Sequence, residues 1–166
     1  MDLSLKGNRA IVCGSTQGIG KSIAIKLAEH GAAITLIARN EKKLIDVIDE
    51  LKNTSSMEHN FIVSDFNDLN TLEKKFTDFI NKDFKPTILI NNTGGPPPGE
   101  ISKASKKDFK DYMSMHLHTS HFLSTSLLPI MKEESYGRIV NIISISVKAP
   151  IENLGVSNTV RWAMAS

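Results

Sequence analysis

The chain has 166 residues, 40% hydrophobic and 23% charged, enough for one globular domain with its own core, and a composition that excludes a disordered or fibrous protein. Net charge is +2, and the lysines come in scattered pairs (Lys42–Lys43, Lys74–Lys75, Lys106–Lys107) rather than in a run, so nucleic acid is not an expected partner. No apolar run reaches the length of a membrane span, Met1–Lys6 carries no signal-peptide apolar region, and the single cysteine, Cys13, rules out an intrachain disulfide; together these point to the cytoplasm, with no membrane partner.

Asn8–Cys13 reads as a short apolar strand. It runs into Gly14-Ser15-Thr16-Gln17-Gly18-Ile19-Gly20, and Ile19, Ile23 and Leu27 then recur at helical spacing up to His30, with Gly31 as the cap. Strand, glycine turn, helix is an arrangement that aims backbone N–H groups and a helix N-terminus at a phosphate. Gly14 makes the tight turn, Gly18 admits a pyrophosphate, and Gly20 lets helix and strand pack closely. Gly18-Ile19-Gly20-Lys21-Ser22 comes near to a nucleoside-triphosphate P-loop. Five residues rather than four separate Gly14 from Gly20, however, so the lysine misses the phosphates.

Ala32–Ala38 is nearly continuous apolar, as a parallel strand covered on both faces reads. Asn40 caps a helix carrying Leu44, Val47, Ile48 and Leu51, and Asn53–Glu58 is a polar turn. Phe61–Ser64 is a third strand ending at Asp65. A helix with Leu69, Leu72, Phe76, Phe79 and Ile80 follows. Pro86–Ile90 is a fourth strand, leading into Asn91-Asn92-Thr93-Gly94-Gly95 and the stiff loop Pro96–Gly99. A long helix covers about 107–133, bent or ended near Pro129. Arg138–Ile143 is a fifth strand followed by Ser144, and Asn158–Ser166 opens another helix. The alternation predicts an α/β fold, a three-layer sandwich of Rossmann type on a parallel sheet, as a single domain over residues 1–166. Ligands of such sheets bind at the carboxyl ends of the strands, where Gly14, Arg39, Asp65, Asn92 and Ser144 all fall.

The glycine turn, Asp65, Asn91-Asn92-Thr93-Gly94 and Gly137-Arg138-Ile139-Val140-Asn141-Ile142-Ile143-Ser144, taken together, resemble the short-chain dehydrogenase/reductase family from about residue 5 onward. The nearest flavour is that of 3-oxoacyl-[acyl-carrier-protein] reductases, and the triple-proline loop looks like an atypical subgroup of these. The resemblance implies an oxidoreductase with bound NADP(H) or NAD(H), reducing a small carbonyl compound or oxidising an alcohol. Gly14, Ser15, Gln17, Gly18, Ile19 and Gly20 would hold the pyrophosphate, Asp65 and Phe66 the adenine, and Asn92, Thr93 and Gly94 the riboses. Strand two ends in Ala38-Arg39-Asn40, with no acid to hold a ribose 2′-hydroxyl; Arg39 with Asn40 favours a 2′-phosphate and hence NADP, NAD remaining the alternative. The family dimerises through the long helix, so a homodimer or homotetramer is expected there, with Phe109, Met113, Leu117, Leu123 and Leu127 as its apolar surface.

The catalytic set departs from the family's Asn, Ser, Tyr and Lys. Ser144 aligns with the serine, Ser157 stands in place of the tyrosine, Arg161 in place of the lysine, and His116 in place of the asparagine. A serine hydroxyl titrates well above tyrosine's value of about 10 and is a poor direct acid. Arg161 stays protonated, suited to a ribose, a phosphate or a carboxylate. Three readings stay open: a proton relay through Ser144, Ser157 and water; a dinucleotide-binding protein without turnover, a sensor or scaffold; or a substrate that supplies its own acid. No metal is expected, since among His116, His118 and His121 only the last two share a helix face, and the bland reading of all three is a helix surface. The family usually runs to about 250 residues, so the sheet and the substrate-covering segment are expected to be incomplete at the C-terminus.

Overall fold

The five strands are the apolar runs of the sequence. β1 (Arg9–Cys13), β2 (Ala33–Ala38), β3 (Asn60–Val63), β4 (Ile88–Asn91) and β5 (Arg138–Asn141) form one parallel sheet in the order β3-β2-β1-β4-β5. The computed structural model of the chain describes residues 3–80 and 84–166; Met1 and Asp2, the first residues of the segment read for a leader, lie outside them. Strand order reverses between β1 and β4, and a parallel sheet opens a crevice at such a switch.

Every residue of β2 is buried, and so is every residue of β1 after Arg9, because helices cover both faces. On one face α1 (Gly18–Glu29) and α2 (Glu41–Thr54) close a core of Ala10, Val12, Ile34, Leu36, Leu44 and Leu51. On the other, α3 (Leu69–Ile80) and α5 (Thr119–Glu133) close over Ile11, Cys13, Ile37, Leu89, Phe76 and Leu127. Cys13 is so enclosed that burial pushes its thiol pKa up to about 12, although a backbone hydrogen bond with Asn92 opposes the shift. Asn40 accepts from Lys43 N at 3.0 Å and caps α2 as the sequence predicts. β2 outruns β3 at its start, where Ile34 N donates instead to His59 Nδ1 at 3.1 Å.

The long helix runs from 106 to 133 but is not one regular helix. α4 (Lys106–Met113) passes through a π-type turn at Ser114–His118 into α5, which continues through Pro129 rather than ending there. A π turn adds one residue and shifts the facing of what precedes it. His116 lies within that turn, on the buried stripe with Ser120, Leu123, Leu127 and Met131. Leu123 and Leu127 are 0% exposed inside the chain's own core and therefore cannot serve a subunit contact, contrary to the sequence expectation. The last helix, α6 (Gly155–Ala165), starts three residues earlier than predicted, and β5 ends two residues sooner. β5 is exposed at all four residues. No helix among the described residues is long and apolar enough to cross a membrane.

Candidate dinucleotide cleft and the polar end of the sheet

Gly14 and Gly18 hold left-handed conformations, φ +57° and +55°, which a glycine adopts without strain. A Cβ on Gly14 would lie 2.6 Å from the Asn92 carbonyl, and one on Gly20 2.3 Å from the Gly14 carbonyl. The turn is thus clamped between β4's end and α1. Asn92 completes the clamp: its amide donates to the carbonyls of Cys13 (3.3 Å) and Gly14 (3.2 Å). Gln17 makes no side-chain cap to α1, and no acid sits in that helix's first turn. The helix therefore presents uncapped N–H groups.

Above this turn opens a cleft of about 510 Å³. Gly14, Gln17 and Gly18 line its floor, Arg39 and Asn40 its β2 end, Asp65 and Phe66 its β3 end, and Asn92, Thr93 and Gly94 its β4 end. Ten of the sequence-derived cofactor residues are thus brought together. Three are not on the wall: Ser15 is fully buried beneath the turn with an unpartnered hydroxyl, Gly20 packs inside, and Ile19 is 59% exposed on the outer side. Thr16, Lys43 and Met115 line the cleft unforeseen. Lys43 lies in the first turn of α2, its N–H bound to the Asn40 cap that also lines the cleft, and the capping position is the signal that would have found it.

The cleft's charge is mixed at the β2 end. Arg39 Nη1 lies 3.8 Å from Asp65 Oδ2, both side chains largely exposed, an arrangement worth little by itself. Asp65 also accepts from Asn67 N at 2.9 Å.

Toward β5 the site is polar and more deeply buried. Thr93 Oγ1 lies 2.7 Å from His116 Nδ1, and His116 is 2% exposed, where the sequence reading had a surface residue. Burial, then the nearby Arg161 charge, lower its pKa to about 4 against the opposing pull of the Gly94 backbone, so the ring is neutral at neutral pH. Ser144 Oγ accepts from Ser146 N at 3.1 Å, opening the short 3-10 turn Ile145–Val147. α6 docks on that turn, with Trp162 Nε1 donating to Ser146 O (3.1 Å) and Arg161 Nη1 to Ile142 O (3.1 Å). Ser157 and Arg161, one turn apart, both lie on the buried face of α6. The Pro96–Gly99 loop is fastened to the start of α6, Gly99 N donating to Asn153 O and Gly155 N to Gly99 O. Among the described residues no three His, Cys, Asp or Glu side chains gather as metal ligands.

A family model described as short chain dehydrogenase matches residues 8–165. The chain belongs to the short-chain dehydrogenase family. Among curated members it is 34% identical over 150 residues to a human protein named inactive hydroxysteroid dehydrogenase-like protein 1, a match covering 89% of this chain and 45% of that one. It is 27% identical over 145 residues to the 3-oxoacyl-[acyl-carrier-protein] reductase FabG of Aquifex aeolicus, covering 87% of this chain and 58% of that one. The chain thus spans about half the length of these short-chain dehydrogenase relatives. The solved L-sorbose reductase of Gluconobacter frateurii, complexed with NADPH and L-sorbose, superposes with a TM-score of 0.93 at 26% identity over 99% of this chain and 62% of that one. Family membership makes the sheet, its crevice and the glycine turn a shared Rossmann-type framework, and makes the chain a relative of oxidoreductases.

Proposed function

We propose that the chain binds a nicotinamide dinucleotide in this cleft, NADP(H) in preference to NAD(H), and acts as an oxidoreductase on a small carbonyl compound or alcohol. The observation that carries the reading is the glycine turn, closed so tightly by Asn92 that no side chain fits at Gly14 or Gly20, with uncapped N–H groups of α1 facing an open cleft. A pyrophosphate satisfies those donors. Arg39 and Lys43 at the β2 end suit a 2′-phosphate, and no acid stands at the end of that strand to hold a 2′-hydroxyl.

The bound dinucleotide supplies hydride exchange. The chain's own residues have to hold the substrate oxygen and provide a proton. Ser144 and Ser157 offer hydroxyls that donate hydrogen bonds, but neither is acidic enough to give up its proton directly. His116 is held neutral by burial and by Arg161, so it offers no imidazolium at neutral pH. The proton then comes from water relayed across Ser157, a slow route beside a dedicated acid.

The second reading, a dinucleotide-binding protein without turnover, is favoured by one observation: a serine and an arginine stand on the buried face of α6 at the positions where the family carries its tyrosine and lysine. Fluorescence titration with NADPH and NADH tests binding; saturable NADPH binding is expected, and its absence overturns both readings. Turnover on 3-oxoacyl thioesters and simple ketones then separates enzyme from binder. Loss of activity in Ser144→Ala with survival in Ser157→Ala would remove Ser157 from the relay. A homodimer or homotetramer through the long helix, for which Phe109, Met113 and Leu117 remain half-buried, is tested by sedimentation.

A further inference from the structure

We infer that Arg161 is the receptor for a carboxylate of the substrate, so that the substrate is a short oxo acid or hydroxy acid rather than a neutral ketone; this rests on the reading of the cleft as a dinucleotide site. The side chain is 9% exposed. Its one hydrogen bond runs from Nη1 to the Ile142 carbonyl, its buried Nε has no partner, and it makes no ion pair among the described residues. A buried, unpaired cation is costly, and a guanidinium cannot shed its proton to escape the cost. With Nη1 occupied and Nε sealed in, Nη2 is the donor left to meet a carboxylate oxygen in a charge-assisted hydrogen bond.

Nη2 stands 3.3 Å from where a Cβ on Gly95 would lie, so the absent side chain there gives the guanidinium its place. Gly95 directly follows Gly94, part of the cleft wall. Neutral His116 adds no competing charge. Ser157 lies on the same face one turn earlier, about 6 Å along the helix, a separation that fits a carboxylate on Arg161 and a reacting oxygen near Ser157 in a 2-oxo or 3-oxo acid.

The cofactor's own phosphates are the other source of negative charge. They are poorly placed for it: the glycine turn lies at the end of β1, two strands from the end of β5 where Arg161 is anchored, roughly 10 Å at about 4.8 Å per strand.

The chain's single tryptophan, Trp162, adjoins Arg161 and reports on the site. Its fluorescence is followed in the 166-residue chain, with and without saturating NADP, while oxamate and acetoacetate are titrated against their neutral counterparts, oxamide and methyl acetoacetate, and against inorganic phosphate. Saturable binding of one carboxylate at least tenfold tighter than its neutral counterpart is expected, with NADP present. Arg161→Lys should retain part of this preference and Arg161→Met none, each binding NADPH within about threefold of wild type. Equal affinity for acid and neutral compound in the wild type overturns the proposal without needing either variant to fold. So does tighter binding of phosphate than of either carboxylate, or a large loss of NADPH affinity in Arg161→Lys, which assigns the guanidinium to the cofactor. If NADPH itself fails to bind, the dinucleotide reading fails, and carboxylate preference in its absence still reports on Arg161 alone.

Discussion

His116 gives a pH dependence that can be worked through. Its ordinary pKa of 6.5 falls to about 4 in the folded chain, chiefly through burial and then through Arg161. Between those values the unfolded chain binds the proton and the folded chain does not. The stabilisation is therefore complete above the unfolded pKa and is lost as pH falls through the folded one. The gap is worth roughly 3 kcal/mol at about 1.4 kcal/mol per decade, and about 2 kcal/mol of it has gone by about pH 5. Urea unfolding at about pH 7.5 and about pH 5, followed by circular dichroism, measures it. With a denaturant slope near 2 kcal/mol/M for a chain of this size, the wild-type midpoint should fall by about 1 M from this group alone. In His116→Asn the amide keeps a hydrogen-bonding group beside Thr93 without the titration, so this part of the drop should vanish. The other buried histidine, His59, whose pKa is lowered by burial and then by Lys52, contributes equally in both proteins and cancels. A variant that loses as much stability as wild type over this range would refute the reasoning.

Three further outcomes are expected. Gly20→Ala, which would put a Cβ 2.3 Å from the Gly14 carbonyl, should abolish NADPH binding and cost about 1–3 kcal/mol in thermal or urea unfolding, since backbone must move to admit it. Arg39→Ala should weaken NADPH roughly tenfold or more while leaving NADH within about twofold, because a charge-assisted bond is worth about 1.5–3 kcal/mol; equal effects on both cofactors would show that Arg39 does not read the 2′-phosphate. Cys13, buried and pushed up to about 12, should resist a thiol reagent in the native protein and react on unfolding.

Much of the architecture was legible because apolar runs between polar stretches leave few arrangements for a parallel sheet. β1 and β2 read as buried strands, and Asn40 as a cap, from local chemistry alone. The π turn was not legible. Leu123 and Leu127 were read with Leu117 as one surface for a partner, and His116 as a helix surface residue; in the structure Leu123, Leu127 and His116 lie together on the stripe that α5 and the turn before it turn into the chain's own core. At the cleft, positions were foreseen better than tasks. Asn92 and Thr93 line the wall, but the Asn92 amide holds the glycine turn and the Thr93 hydroxyl lies against His116. Such commitments depend on which strand ends become neighbours, and spacing along the chain does not carry that.

β5, exposed at all four residues, divides the site by local stability. The half that faces a dinucleotide rests on β1 and β2, whose amides should be among the last to exchange with deuterium, at a cost near that of global unfolding. The half that would meet substrate rests on β5 and on α6 docked just beyond it, where opening exposes little that is not already exposed. Hydrogen exchange should therefore grade across this chain, slowest at β1 and β2 and fastest at β5 and α6.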